Sequence, residues 1–341
     1  MTLSLSIARP LSLVIGSICL LLGSCSKSQP SADSTTAASS QPPAAAKAAS
    51  KVLIGYQKIG APFLLKSRSE SLDKRLKEQA AEAEWKEFKH GPALLEAVNA
   101  KEVDIGYVGE TPPVFAQAGG VDFVYVASDP PAPKAEAIVV LKDSPIKSLA
   151  DLRGKKIALN RGSNVHYLLL KALESAKLAL SDVEVTYLAP GDARPAYDSG
   201  KVDAWVIWDP FLAAAEQSGS RVLASGENLV DNRLFYVARR DFAEKNPDLL
   251  QLVLDEFKSL SDWESKNSEE AAKILAASSG VSYDALLLAE RRHAYGILPI
   301  TEEVLDTQQA IANAFRKLDL IPKEIRVRDA FAPAAVYAVK P

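Results

Sequence analysis

Residues 103–110 read VDIGYVGE, and residues 202–209 read VDAWVIWD, at a constant offset of 99. In both copies a helical pattern runs into Val-Asp, a strand pattern follows, and an acidic residue stands before a proline that favours a helix start. A second pair of strand, loop and helix patterns, at 52–61 and 156–164, has a similar spacing. The repeat predicts two similar α/β lobes.

The rest of the chain is consistent with an α/β front and a helical back. The predicted strands are Val52–Tyr56, Asp104–Val108, Phe123–Ala127, Ala137–Leu141, Lys156–Asn160, Val183–Leu188, Ala204–Ile207 and Leu234–Ala238. The predicted helices of the front are Lys66–Ala80, Gly91–Ala100, Ser148–Leu152, Asn164–Ala176 and Arg194–Ser199. After Arg240 the pattern predicts helices alone, at Asn246–Ser265, Ser268–Ser278, Tyr283–Tyr295 and Glu302–Leu318. Because ligands bind at the carboxyl ends of strands in open α/β sheets, the candidate loops are 57–61, 109–111, 162–166, 190–194 and 208–210.

The composition limits the possible partners. The 341 residues are 48% hydrophobic and 24% charged, which excludes wholesale disorder and leaves room for two lobes. The formal net charge is −3, and the first fifty residues carry a surplus of +2, so the remainder carries −5. No basic excess indicates nucleic acid as a partner. An anionic ligand would have to be held by local dipoles and hydrogen bonds.

The amino-terminal segment has the features of an export signal. Arg9 precedes an apolar run at 11–22, which is shorter than the roughly 20 residues of a membrane span. The order Leu-Gly-Ser-Cys at 22–25 resembles a bacterial lipobox, so Cys25 is expected to carry a lipid; an ordinary cleavage site is the alternative. Residues 26–50 are rich in Ser, Ala and Pro, which indicates a flexible tether. The expected division is a signal peptide at 1–24 and a lipidated tether at 25–50.

Known catalytic and metal-binding motifs do not occur in the sequence. The only cysteines, Cys19 and Cys25, lie in the amino-terminal segment, and the three histidines are scattered. No nucleophile elbow, phosphate loop or dinucleotide fingerprint is present. The sequence therefore predicts a binding protein without cofactor or metal, and a carboxylate-based enzyme using Glu110 and Asp209 is the alternative.

Four stretches resemble the periplasmic aliphatic sulfonate-binding proteins of bacterial ABC importers. They are GETPPVFAQ at 109–117, SPIK at 144–147 with GKK at 154–156, GSNVHY at 162–167 and VDAWVIWDP at 202–210. The resemblance implies a type II periplasmic-binding-protein fold, a Venus flytrap of two α/β lobes joined by two crossover strands. The crossovers are expected near Glu136–Leu141 and Leu234–Ala238, with a first lobe of 51–135 plus 238–341 and a second lobe of 136–237.

The resemblance also implies a function. Such a protein captures an alkanesulfonate, a sulfur source, between closing lobes and delivers it to an ABC permease and its ATPase. We expect a monomer held by a lipid anchor in the periplasm or on the outer side of the cytoplasmic membrane. Receptors for nitrate, taurine or a pyrimidine precursor are alternatives, and so is a clamshell enzyme acting on a small acid or pyrimidine precursor.

In the second lobe, the candidate ligand-binding residues follow the strands. Ser163 and Asn164 open a helix whose free N–H groups suit a sulfonate, whereas the alternative is a plain N-cap. His166, one turn further, is either a donor to the ligand or a buried histidine between the lobes. Trp208 is expected to line the slot for the alkyl chain, while Trp205, on the other face of the strand, belongs to the core.

In the first lobe, Gly109 and Thr111 are the counterpart of this anion site, and Gln57 offers amide donors. Glu110 is expected to cap, to pair with a cation of the second lobe, or to meet a cationic part of the ligand. Asp209 is expected to pair with Arg194, either to hold the guanidinium for a sulfonate or as a surface salt bridge.

Overall fold

Two five-stranded sheets form the framework of the computed structural model, which describes residues 50–331. The strands are β1 (Ser50–Tyr56), β2 (Ala81–Glu87), β3 (Ile105–Gly109), β4 (Phe123–Ser128), β5 (Glu136–Val140), β6 (Lys156–Leu159), β7 (Glu184–Tyr187), β8 (Ala204–Trp208), β9 (Arg221–Ser225) and β10 (Leu234–Arg239). The helices are α1 (Gly60–Ser67), α2 (Glu70–Glu78), α3 (Gly91–Asn99), α4 (Thr111–Gly119), α5 (Asn164–Ser175), α6 (Pro190–Asp198), α7 (Phe211–Gln217), α8 (Arg240–Lys245), α9 (Pro247–Glu264), α10 (Ser268–Ser279), α11 (Tyr283–Arg292) and α12 (Glu302–Lys317). The predicted signal peptide, Cys25 and the tether as far as residue 49 lie outside the described residues.

The two sheets share one topology, which confirms the predicted α/β fold. The first sheet has the order β2-β1-β3-β10-β4, and the second has the order β7-β6-β8-β5-β9. In each sheet the first three strands are parallel, and the fourth runs antiparallel to both of its neighbours. The strands of the sequence repeat, β3 and β8, hold the third position in both sheets. The repeat therefore reflects two copies of one layout.

The repeated aspartate has the same backbone contact in both lobes. The Leu53 N–H donates to Asp104 Oδ2 at 2.9 Å, and the Asp104 N–H donates to the Leu53 carbonyl at 2.8 Å. In the second lobe the Lys156 N–H donates to Asp203 Oδ2 at 2.8 Å, and the Asp203 N–H donates to the Lys156 carbonyl at 2.8 Å. Each aspartate thus binds the start of the third strand, β3 or β8, to the neighbouring parallel strand, β1 or β6.

The chain passes between the sheets in two segments, 129–135 and 226–233. β5 lies wholly in the second sheet, and β10 lies wholly in the first, where Leu234 pairs with Gly109 and Val237 with Gly106. The return to the first sheet therefore comes at Leu234, four residues before the expected boundary between 237 and 238. β1 likewise begins at Ser50, the last residue of the predicted tether.

The C-terminal helices pack largely on the first lobe. On α9, the ring of Phe257 lies 5.3 Å from that of Tyr236 on β10. On α12, the ring of Phe315 lies 4.9 Å from that of Phe115 on α4. α11 also contacts α7 of the second lobe. Between residues 50 and 331, no helix has the combined length and apolar character of a membrane span.

The sequence prediction missed two strands, the short helix α8, the start of α1 at Gly60 and a break between two helices. β2 and β9 are edge strands, and neither contains the run of buried apolar residues that marks a central strand. The predicted helix Lys66–Ala80 is wrong, because α1 ends at Ser67 and α2 begins at Glu70. Arg68 between them has φ −140° and ψ 50°, which no helix contains.

Asp104 and Asp203 form a matched pair for measuring how much the contact between the aspartate and the neighbouring strand contributes to stability. We expect Asp104→Ala to lower the free energy of unfolding by about 3 kcal/mol, because the buried carboxylate also lies 2.6 Å from Arg239, which would keep only Asp241 as an acidic partner. Asp203→Ala removes a backbone contact at an exposed position, so we expect a loss of about 1 kcal/mol. Urea unfolding of both variants measures the difference, and equal losses would contradict this account.

Candidate ligand-binding site

A cleft between the two sheets is lined by residues at the carboxyl ends of strands from both lobes. The empty space in it, including space open to solvent, amounts to about 520 Å³. Five of the predicted binding residues line it: Gln57, Gly109, Ser163, Asn164 and Trp208. The other five do not: Glu110, Thr111, His166, Arg194 and Asp209. Contact of any of them with a ligand stays a prediction.

The start of α5 faces the cleft and has no side-chain cap. Gly162 precedes it with φ +70°, a conformation that favours glycine, and its N–H donates to His166 Nδ1 at 3.3 Å. The Ser163 hydroxyl donates to the Asn160 carbonyl at 2.7 Å and makes no capping bond to the helix. The alternative of a plain N-cap is therefore wrong for Ser163. The positive end of the helix dipole lies at the wall of the cleft.

Asn164 connects the second lobe to the first and to both connecting segments. Its Oδ1 accepts a 3.2 Å bond from the Thr111 N–H, and its Nδ2 donates to Asn232 Oδ1 at 2.7 Å. Asn232 in turn donates to the Ala132 carbonyl at 2.9 Å. The backbone N–H of Thr111 is therefore used by Asn164.

Gly109 leaves the space that this contact needs. A Cβ atom at Gly109 would lie 2.0 Å from Asn164 Oδ1, far inside van der Waals distance. The two lobes meet at this position because the residue at the end of β3 has no side chain.

The aromatic and amide residues of the cleft have distinct surroundings. Trp205 is buried in the core beside Tyr197, at a ring distance of 5.7 Å, while the half-buried Trp208 lines the cleft, as the strand alternation predicts. Gln57 uses one amide hydrogen for a 3.0 Å bond to the Tyr107 carbonyl. That bond fixes the orientation of the Gln57 amide at the wall.

Glu110 lies behind the cleft. Its Oε2 accepts a 2.9 Å bond from the Arg233 N–H, so the carboxyl binds the backbone of the second connecting segment instead of a cation. Burial raises the pKa of Glu110 to about 8, and the charge of Asp231 adds to this, although the bond from Arg233 opposes it. Near neutral pH this carboxyl is therefore mostly uncharged.

The predicted pairing of Arg194 with Asp209 is wrong. Arg194 lies 2.7 Å from Asp198, one helical turn away on α6, and donates to the Ser218 hydroxyl at 2.9 Å. Asp209 lies 3.5 Å from Arg292 instead, a residue of α11 that no comparison of neighbouring loops reveals. Burial raises the pKa of Asp209 to about 7, against the opposing charge of Arg292.

His166 is a buried histidine between the lobes, one of its two expected roles. Its ring lies 5.1 Å from Phe315 and 5.4 Å from Tyr187, which belong to opposite lobes. Burial and the charge of Arg161 lower the pKa of His166 to about 4, so the ring is neutral at physiological pH.

The sequence reasoning missed His293, which lines the cleft. The helical pattern was extended to Tyr295, but α11 ends at Arg292, and His293 has the extended angles φ −65° and ψ 142°. Its Nε2 lies 3.5 Å from Asp129 Oδ2. The signals that could have placed the helix end earlier are Gly296 and Pro299, which follow at once.

Comparison with known proteins agrees with this geometry. The family model described as "NMT1/THI5 like" matches residues 84–286. A curated relative, the "Putative aliphatic sulfonates-binding protein" of Escherichia coli (strain K12), is 42% identical over 277 residues, covering 81% of this chain and 86% of that protein.

Two solved structures extend the comparison. The periplasmic aliphatic sulphonate-binding protein SsuA of Escherichia coli has a TM-score of 0.76 at 40% identity, covering 83% of this chain and 92% of its own. The alkanesulfonate-binding protein SsuA of Xanthomonas axonopodis pv. citri, bound to MOPS, has a TM-score of 0.79 at 36% identity, covering 85% and 99%. The type II periplasmic-binding-protein fold is thereby confirmed, and the chain belongs to the aliphatic sulfonate-binding proteins within the NMT1/THI5-like family.

Proposed function

We propose that this protein is the substrate-binding component of an ABC importer and captures aliphatic sulfonates between its two lobes. The observation that carries the proposal is the uncapped start of α5 at the wall of a cleft that both lobes line. A sulfonate has three acceptor oxygens and a fixed negative charge. Backbone N–H groups at a helix start, with the dipole behind them, complement both properties.

The remaining walls suit the organic part of such a ligand. Trp208, Ile59 and Leu234 provide apolar surface in the same cleft as the polar side chains of Ser163 and Gln57. A ligand with one anionic head and a short aliphatic chain satisfies both kinds of wall. Neither Lys nor Arg lines this cleft within residues 50–331. The body therefore holds its anion as the net charge of −5 led us to expect, by dipoles and hydrogen bonds.

Closure of the two lobes around the sulfonate would prepare its delivery to the permease. Asn164 contacts Thr111 and Asn232 only when the lobes and the connecting segments lie together. A permease that binds this closed arrangement would accept loaded receptors in preference to open ones. We propose that the protein acts as a monomer in the periplasm or on the outer side of the cytoplasmic membrane.

Titration calorimetry with ethanesulfonate, longer alkanesulfonates, taurine, nitrate and sulfate tests the assignment. We expect heats of binding with alkanesulfonates, weaker or no heats with nitrate, and recovery of every sulfonate unchanged. Absence of binding to all sulfonates contradicts the proposed ligand, tighter binding of nitrate or taurine reassigns it, and consumption of a sulfonate shows an enzyme.

Gly109→Ala tests closure. The added Cβ would fall on Asn164 Oδ1, so the lobes could meet only after displacement, and overpacking of this kind costs about 1–3 kcal/mol. We expect a loss of affinity for ethanesulfonate of about tenfold or more. The matched control is Gly119→Ala at the end of α4, where a Cβ meets no atom within 4 Å. Equal affinities of the two variants would contradict the closure contact.

The proposed lipid anchor is tested at Cys25. Expressed in a bacterial host, the protein should partition into membranes or a detergent phase, and Cys25→Ser should release it, because the serine hydroxyl does not accept the thioether-linked lipid. Cys19→Ser, a change of the same kind within the predicted signal peptide, is the control and should remain in the membrane fraction. Retention of Cys25→Ser in the membrane fraction would contradict lipidation at this residue, and release of the unmodified protein would indicate an ordinary cleavage site.

A further inference from the structure

His293 is the one titratable side chain in the wall of the cleft among residues 50–331. It stands directly after α11 and also lines a smaller cavity on its other side, which contains Asp209 and Glu290. Its side chain keeps 9% of its surface exposed. The imidazole therefore forms part of the partition between the two cavities.

The two ring nitrogens of His293 have different surroundings. Nε2 lies 3.5 Å from Asp129 Oδ2, and Asp129 is buried in the first connecting segment. Tyr107 donates its hydroxyl hydrogen to the same carboxylate, which fixes the carboxylate in place. The other nitrogen, Nδ1, makes none of the hydrogen bonds found in the described part of the chain. An imidazolium here would have one N–H for Asp129 and one left for a ligand.

The charges around the ring favour its protonated form. The groups that face it are the carboxylates of Asp129, Glu290 and Asp209 and, around them, the hydroxyls of Tyr107, Tyr236 and Tyr295. Burial lowers the pKa of His293, but the hydrogen bond and charge of Asp129, with the charges of Glu290 and Asp209, outweigh it. The net effect raises the pKa of His293 above its usual value of about 6.5.

The neighbouring basic side chains are bound to other groups. Arg292 lies 2.7 Å from Glu216 and 3.5 Å from Asp209. Lys58, in the wall of the smaller cavity, donates to the Ser279 carbonyl at 2.8 Å. His293 is therefore the cation best placed to meet an anion in the main cleft.

We propose that protonated His293 is the cationic partner of the sulfonate, held by Asp129, and that its proton strengthens ligand capture as the pH falls. The inference rests on the proposed function, because it takes an anion in this cleft as given. It also connects the ligand to the first connecting segment, since the residue that holds the imidazolium lies between β4 and β5. A charge-assisted hydrogen bond of this kind would tighten binding by about tenfold.

The sign of the pH dependence follows from the direction of the pKa. Below the pKa of His293 the imidazolium is present, so ethanesulfonate, which stays ionised throughout, binds more tightly at about pH 6 than at about pH 8.5. By linkage, bound ethanesulfonate must raise the pKa of His293. Asp209 and Glu110 titrate in the same window, with pKa values of about 7 and about 8, so affinity alone does not identify the group.

NMR of the full chain with 13C-labelled histidine identifies the group whose protonation changes the affinity. The chain has only three histidines, and burial lowers the pKa of His90 and brings that of His166 to about 4, so His293, whose pKa is raised, should titrate at the highest pH of the three. We expect the third signal to titrate, and its pKa to rise by about one in saturating ethanesulfonate, the equivalent of tenfold tighter binding. An unchanged pKa in a protein that binds ethanesulfonate overturns the proposal and leaves the proposed function intact.

His293→Gln supplies the second measurement. Glutamine keeps a neutral donor of similar size, so we expect about a tenfold loss of affinity near pH 6, little change near pH 8.5, and loss of the titrating signal. His90→Gln, at the N-cap of α3, is the matched control and should keep both the affinity and its pH dependence. The melting temperature of each variant reports folding. Full affinity of His293→Gln at pH 6 contradicts the proposal, and absence of ethanesulfonate binding to the unmodified protein at every pH contradicts it together with the proposed function.

Discussion

The side-chain amide of Asn164 holds the parts of this receptor together. One end accepts from the backbone of the first lobe, and the other donates to Asn232 on the return segment, which itself binds Ala132 on the outgoing segment. Four pieces of chain that are far apart in sequence therefore meet around one amide. Gly109 at the end of β3 leaves room for this amide, because it has no side chain. The start of α5 places the amide between the lobes.

The site shows how an acidic protein can hold an anion. Neither Lys nor Arg lines the wall within residues 50–331, so the site that we propose uses a helix start, fixed amides and one histidine with a carboxylate behind it. The surroundings of the carboxyls near the cleft reduce or balance their negative charge. Glu110 is mostly uncharged near neutral pH because burial raises its pKa, and Asp209 lies against Arg292. Repulsion of the ligand is thereby reduced without a surplus of basic residues.

Local patterns predicted the elements that bury apolar residues and the loops that follow them. The Val-Asp repeat located β3 and β8 correctly, and Gly162 with Ser163 located a helix start at the cleft. Edge strands carry a weak apolar signal, so β2 and β9 were missed. Partners from distant segments were also missed. Arg292 at the end of α11 pairs with Asp209, and His293 directly after it lines the cleft beside Asp129, and no spacing rule connects them to residues more than eighty positions earlier.

The bonds that join the lobes around the main cleft run between amides, backbone groups and a mostly uncharged carboxyl. Dissolved ions screen interactions between charges far more than they weaken neutral hydrogen bonds. The contacts around Asn164 are therefore largely indifferent to ionic strength, whereas the partly buried ion pairs that Arg292 makes with Asp209 and Glu216 of the second lobe keep some dependence on it. A receptor that meets varying salt concentrations thus keeps the contact between its lobes at Asn164.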